Sequence, residues 1–413
     1  MRGRFDIAVV GAGAAGLMAA IAAKRANPSR RVVVLDGAKK LGAKILIAGG
    51  GRCNVTHHHV DESAFAGSTR PAIRKVLGRL DVARTVAFFE EIGVTLKREE
   101  TGKLFPTTDD AHTVLDALLG EARRRGVEIL HPRRVVAIQR TREDFAISFE
   151  SAGVNIEAGR AVIATGGKSI PKSGSDGFGY ELVRALGHSI TPLVTPGLVP
   201  LTLPSDHFLC ALSGVTIDAT IELRSGTGKR LVSFTNSTLL THFGLSGPSI
   251  LDISRYYLHA IESVPKAALF ANWLPETSED ALDRELQSLR TKSVGGFLRE
   301  RLPERLARAL CERAGVDPST RGNELAREKR GAVAAAVCNL ELPVIGSRGY
   351  NFAEVTSGGV PLAELRLDTM ESRVCSGLYL CGEICDVDGR IGGFNFQWAW
   401  SSGFVAGTGA ATP

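Results

Sequence analysis

No stretch of ~18 uninterrupted apolar residues, the length a helix needs to cross a bilayer, occurs in this chain. A membrane span is therefore not expected. The chain enters an apolar strand within a few residues of Met1, which leaves no room for a signal peptide and points to a cytoplasmic protein. Seven cysteines without regular spacing suit a reducing compartment better than a disulfide framework. Cys381 and Cys385 lack partners at zinc-site spacing, so no metal is expected. Internal repeats and low-complexity tracts are also missing, which argues against a solenoid or a disordered array.

What is present is the composition of a soluble globular protein, 44% hydrophobic and 23% charged. A length of 413 residues is too great for one compact core and suggests two or three domains. The net charge of +6 is unevenly spread: Arg290 to Arg330 holds eleven Lys/Arg against six Asp/Glu. Either these are solvated helix faces, or they form an electrostatic footprint for an anionic partner such as nucleic acid.

The richest stretch is Asp6-Ile7-Ala8-Val9-Val10-Gly11-Ala12-Gly13-Ala14-Ala15-Gly16. Ile7 to Val10 reads as a buried parallel strand, after which the glycines open an Ala-rich helix. Gly11 permits the tight turn, Gly13 lets backbone approach a pyrophosphate, and Gly16 lets helix pack close on strand. A second strand, Arg31 to Leu35, ends in Asp36, 20 residues after Gly16. A carboxylate there accepts hydrogen bonds from a ribose. Strand, helix, strand and acid in this register predict a dinucleotide site.

Further on, residues 5 to 190 read as α/β. A loop from Gly37 to His59 precedes helical stretches near 71–92, a ribbon at 95–98 and 103–105, and a helix near 111–125. Strands follow near 128–130 and 134–139, then a hairpin at 145–149 and 155–158. The next buried strand, Ala161 to Ile163, ends in Ala164-Thr165-Gly166-Gly167. From Thr191 to about Ser263, prolines punctuate short β-type runs, which suggests an antiparallel, barrel-like insert. Helical patterning covers 277–337, and the α/β signature returns from Tyr350. The expected organisation is thus a discontinuous dinucleotide domain (1–190 and 350–413), a β-barrel-like insert (191–276 and 340–349) and a helical insert (277–339).

Two other motifs carry ligand chemistry. In Lys44-Ile45-Leu46-Ile47-Ala48-Gly49-Gly50-Gly51-Arg52-Cys53-Asn54, consecutive glycines expose amide groups while Lys44 and Arg52 add positive charge. Glycine-rich tracts are also common in plain loops. Cys53 reads either as a proton donor or thiolate beside a cofactor, or as an inert packing residue. Near the other end, Gly382-Glu383 follows a strand, Asp386 is placed to take a ribityl hydroxyl, and Gly392-Gly393 precedes Phe394, Asn395 and a helix. That helix N-terminus suits negative charge. His242, polar among apolar neighbours, either faces a substrate or is a satisfied core histidine.

Together these stretches resemble the BaiN/RdsA family of NAD(P)/FAD-dependent oxidoreductases. The match also runs through Lys168-Ser169-Ile170-Pro171, Thr241 to Pro248, Val355 to Val360 and Thr369-Met370-Glu371-Ser372, so it spans almost the whole chain. Asp36 stands where Glu is more usual, and Ala48 where Ser is common. The resemblance implies a split Rossmann-like FAD-binding domain, glutathione-reductase-like, with the two inserts. It implies FAD contacts from Gly11, Gly13, Ala14, Ala15, Gly16, Asp36 and Gly37. Lys44, Gly50, Gly51, Arg52, Cys53, Asn54 and Val135 join them, followed by Ala164, Thr165, Gly166 and Gly167. Gly382, Glu383, Asp386, Gly392, Gly393, Phe394 and Asn395 complete the set.

The expected chemistry is hydride transfer to an activated C=C bond, with NAD(P)H as a transient reductant and Cys53 or His242 as the acid. One branch of the family reduces uridine to dihydrouridine in large-subunit ribosomal RNA. A second reading is a small-molecule reductase or oxidase acting on an enone or steroid-like acid, which the low aromatic content of 6% disfavours. A third is a non-catalytic FAD-binding protein.

Overall fold

The computed structural model describes residues 3–150 and 155–412. They divide into two units, one formed by residues 1–196 and 354–413, the other by 197–353.

The first unit is built on a parallel sheet. Strand β1 (Arg4–Val10) leads into helix α1 (Ala14–Ala26), then β2 (Val32–Leu35) and β3 (Glu128–Leu130). Strand β4 (Asn155–Ile163) returns to the other side of β1, and β5 (Leu378–Leu380) lies beside β4. The order β5-β4-β1-β2-β3 is parallel throughout. The chain moves outward from β1 in one direction and then reverses at β4, so the crevice opens at the carboxyl ends of β1 and β4. Val10 pairs with both Ile163 and Leu35, and Ile163 with Leu380, which brings Gly11, Asp36, Ala164 and Cys381 to one edge.

The hairpin and buried strand expected near 155–163 are one strand, β4. Its first half pairs antiparallel with Phe145–Phe149 and its second half parallel with β5. The hairpin's tip, 151–154, lies outside the described residues.

Helix α1 is buried on nearly every side because a second helix, α2 (Phe394–Ala411), covers it. A Cβ on Gly403 or Gly407 would stand 2.4 Å from the Ala15 carbonyl oxygen or 2.0 Å from that of Ala19. Small residues therefore let the first and last helices of the chain touch backbone to backbone. Leu17 and Ile21 are fully enclosed on α1, each burial contributing about 1.5–3 kcal/mol.

The second unit holds a seven-stranded antiparallel sheet. Its strand path runs from Leu340–Leu342 to Gly346–Ser347, open at both ends among the described residues. The segment read as purely β also contains a 16-residue helix, Pro248–Ser263. The helix starts at Pro248, a residue that favours the first helical position, and Ile250, Ile253 and Tyr257 bury one face. Ala219, Ile221 and Leu223 of the sheet share one apolar core with Leu282, Leu306 and Val333 of the helical stretch. The β and helical segments, expected as two modules, form one body.

Candidate functional site

At the first crevice, the glycines differ in what limits them. Gly11 has φ +107° and its Cβ would lie 2.3 Å from the Ala164 carbonyl oxygen; a Cβ on Gly16 would lie 1.8 Å from the Gly11 carbonyl oxygen. Both are required by packing. Gly13 is different. Its φ of −81° suits any residue, and nothing stands within 4 Å of a Cβ built there. Gly13 is also the N-cap of α1, with no side-chain cap and no acidic residue in the first turn. Open space before an uncapped N-terminus, flanked by Ala14 and Ala15, leaves free amides and room of the kind that suits an anion.

Asp36 follows β2 and ties the crevice together. Its Oδ2 accepts from the Ala12 amide at 2.6 Å and its Oδ1 from the Ala38 amide at 2.7 Å. The carboxylate thus holds the glycine turn in place while its remaining lone pairs are available to a ribose. Next to it, Gly37 packs on Arg134, where a Cβ would meet side-chain carbon at 2.8 Å. Arg134 is itself paired with Asp176. Val135 is buried and pairs with Phe149.

The second wall is the Gly-rich segment. Residues Ala43–Gly51 begin as a helix, which breaks where Ala48 adopts ψ 144° and Gly49, Gly50 and Gly51 take φ of 58°, 71° and 87°. Nothing lies within 4 Å of a Cβ on Gly50. The positive charge that Lys44 and Arg52 add here is locally compensated. Lys44 Nζ binds Glu383 Oε2 at 2.7 Å and Ser169 Oγ at 2.6 Å, while Arg52 pairs with Glu99 at 2.6 Å and sits 4.0 Å over the Phe105 ring. Nearby carboxylates neutralise both cations, leaving amide groups as the donors this loop offers.

Cys53 is wholly enclosed, and burial pushes its thiol up to about 12. Of the readings given for Cys53, burial disfavours the thiolate near neutral pH, because it penalises the charged form, and leaves the neutral thiol. The other cysteines are buried as well. The folded protein is expected to react with less than one equivalent of a thiol-specific reagent at pH 8, and with seven after denaturation. Fast labelling of Cys53 in the native state would contradict this reading.

Helix α2 begins beside that loop. Its N-cap, Gly393, has φ +98° and no side-chain cap, and a Cβ there would meet the Thr56 carbonyl at 2.6 Å and Asn54 Oδ1 at 2.9 Å. Asn54 Oδ1 is buried with no hydrogen-bond partner. An orphaned acceptor beside an uncapped helix N-terminus is the pattern left by a polar ring with both N–H and C=O groups. Gly392, at φ +126°, precedes it. Phe394 stacks on His57 at 5.0 Å. Asn395 serves the fold: its amide exchanges hydrogen bonds with the Gly389 N–H and carbonyl at 2.8 and 2.9 Å.

The third wall combines the ends of β4 and β5. A Cβ on Gly167 would lie 2.3 Å from Thr356 Oγ1, which accepts from the amides of Lys168 and Ser169. Gly166 has φ +74° and packs on Ser175, and Thr165 packs on Gly179. A Cβ on Gly382, at φ +78°, would lie 2.8 Å from Ala15 Cβ, and the Gly382 carbonyl accepts from Trp398 Nε1. Asp386 is half-buried, its carbonyl accepting from the Ser68 amide at 2.8 Å.

Sequence reading missed Ser169, Thr356 and Gln397. Ser169 and Thr356 lie in stretches that carry the family resemblance, but only the contact of Thr356 with 167–169 shows their part. His242 lies in the second unit, exposed at the turn between Arg230–Thr241 and Gly244–Ser246 and edge-on to Phe243 at 5.1 Å. The core-histidine alternative is thereby overturned.

These residues fit FAD: an uncapped, open helix start beside an acidic ribose clamp at one end, and exposed amides with an orphaned acceptor at the other. The comparisons agree. The model of the HI0933-like protein Rossmann domain matches residues 5–409. The chain is 34% identical over 409 residues to a 3-dehydro-bile acid delta(4,6)-reductase of Clostridium scindens, covering 98% of each. It is also 34% identical over 405 residues to a ribosomal RNA dihydrouridine synthase of Escherichia coli, covering 97% of each. In fold it is similar to a 3-ketosteroid delta1-dehydrogenase from Sterolibacterium denitrificans, with a TM-score of 0.53, 12% identity and 99% of each chain covered. The chain belongs to the HI0933-like Rossmann-domain family of FAD-dependent oxidoreductases.

Proposed function

We propose that this protein reduces a uridine of large-subunit ribosomal RNA to dihydrouridine. When bound, FAD would supply the hydride for C6, its electrons drawn from NAD(P)H as a transient donor. The protein's own tasks are to hold the cofactor between the uncapped starts of α1 and α2, to admit an unstacked base, and to deliver a proton to C5. The exposure of His242 supports it as the proton donor over Cys53, which is enclosed and whose raised pKa makes it a weak acid.

The observation that carries the RNA reading is the state of the basic residues in the second unit. Lys292, Arg299, Arg301, Arg308 and Arg330 are paired with carboxylates. Arg290, Arg313, Arg321, Arg327 and Lys329 are exposed without an acidic partner among the described residues. Unneutralised cations of this kind suit a phosphate backbone. The expected result is the loss of one dihydrouridine from ribosomal RNA in a strain lacking the gene, restored by the intact gene. An unchanged dihydrouridine content overturns the proposal. The equal identity to a bile acid reductase supports a second reading, a small-molecule enone reductase; turnover of an enone by purified protein without RNA would favour it.

A further inference from the structure

Within the second unit, strand Leu201–Thr202 lies between Gly244–Ser246 and Gly346–Ser347. Gly244, at φ +141°, allows the approach, since a Cβ there would stand 2.5 Å from the Leu201 carbonyl oxygen. This pairing brings Phe243, just before one strand, beside Arg348, just after the other. The Leu203 amide donates to the Phe243 carbonyl at 3.1 Å and the Arg348 amide to the Pro200 carbonyl at 3.0 Å, so both backbones are fixed.

The Arg348 guanidinium is held between two rings, 4.3 Å from the centroid of Phe243 and 3.7 Å from that of Phe352. Two aromatic faces orient the plane, yet no carboxylate or carbonyl among the described residues accepts from its five N–H donors. An arginine fixed in place purely for packing would ordinarily be paired, as Arg224 is with Glu222 while lying over Phe270. Phe352 is 50% exposed and Ile345 68% exposed, and exposed His242 lies edge-on to the far ring, Phe243. An outer face of Phe352 and a fork of unused donors beside it match a flat ring that carries carbonyl acceptors and an attached anion.

We propose that Phe243, Arg348 and Phe352 form a stacking platform for single-stranded RNA, with a base laid on Phe352 and Arg348 donating to its carbonyl or phosphate oxygens. The inference rests on the RNA reading above and names how that partner is gripped. Aromatic stacking binds any base, whereas the planar guanidinium adds a directional contact that an ammonium cannot reproduce.

The test uses the full-length, flavin-loaded protein and a short fluorescent uridine-rich oligoribonucleotide, with affinity read by anisotropy at fixed salt. Phe352→Ala is expected to weaken binding roughly ten-fold or more, Phe352→Leu to weaken it nearly as much, and Arg348→Lys to weaken it several-fold despite keeping the charge. The flavin spectrum should stay unchanged in all three, which separates lost recognition from lost folding. Wild-type binding retained by Phe352→Ala and Arg348→Lys would overturn the platform while leaving the RNA reading intact. Failure of the parent protein to bind the oligonucleotide, with dihydrouridine unchanged in the deletion strain, would sink both.

Discussion

A Gly13→Glu variant is expected to fold like the parent protein and to purify without flavin. The residue sits at φ −81° and ψ −170°, a region open to every amino acid, and no atom lies within 4 Å of a Cβ at that position. The substitution therefore costs the fold little. Its carboxylate, however, would occupy the space in front of the uncapped start of α1, where it would satisfy the free amides and repel a pyrophosphate. FAD affinity should fall roughly 100-fold or more, about 3 kcal/mol. The contrast is Gly16→Val. There the added atoms collide with the Gly11 carbonyl at 1.8 Å, so the strand–helix junction must move, at a cost of about 3 kcal/mol or more. That variant should lose both flavin and melting temperature. Measuring the flavin absorbance band and the melting temperature of both proteins decides the matter. If Gly13→Glu stayed fully yellow, the anion site would not be where the geometry puts it.

This contrast marks how far the sequence alone reaches. The order strand, glycine turn, helix, strand, Asp36 is local, and each residue's part follows from the turn it makes, so the first strand–helix–strand unit could be read directly. The charge state of the second motif could not. Lys44 and Glu383 are 339 positions apart, and nothing near either residue signals that they neutralise each other. Asn54 looked like one polar residue among several in a glycine-rich loop. Its unpaired, buried oxygen emerges only when α2 closes over it. His242 was ambiguous because its apolar neighbours alternate into the core while its own side chain, at the tip of a turn, points out. In the second unit, Gly247-Pro248 fits both a turn and a helix start, and only the burial of Ile250, Ile253 and Tyr257 on one face resolves it. Short-range geometry was legible, and long-range pairing was not.

Long-range pairing also sets the other large expected effect, at Gln397. Its side chain, 1% exposed, joins three segments far apart in the chain. Oε1 accepts from Thr56 Oγ1 at 2.7 Å, while Nε2 donates to the Leu80 carbonyl at 2.8 Å, to Thr85 Oγ1 at 2.9 Å and to Ser401 Oγ at 3.1 Å. The donor and acceptor partners fix which way the amide faces. Gln397→Met keeps similar volume and removes every one of these bonds. The Leu80 carbonyl would still accept from Ser401 Oγ at 2.8 Å, which leaves the buried Thr85 hydroxyl stranded and the Thr56 hydroxyl with only a long 3.5 Å contact to the His57 carbonyl. At ~1–3 kcal/mol for each unsatisfied buried group, the loss is about 3 kcal/mol, a fall of several degrees in melting temperature. The effect should reach the cofactor as well. Thr56 packs against the N-cap of α2 at Gly393, and the neighbouring Val55 carbonyl accepts from Trp400 Nε1 at 2.8 Å. Without Gln397, the Gly-rich loop and the start of α2 lose the tie that holds them in register, so the amides around the proposed flavin site should exchange with solvent faster and FAD should dissociate more quickly. A Gln397→Met protein with unchanged melting temperature and unchanged FAD release would show that the network contributes nothing beyond packing, and that α2 is positioned by its contact with α1 alone.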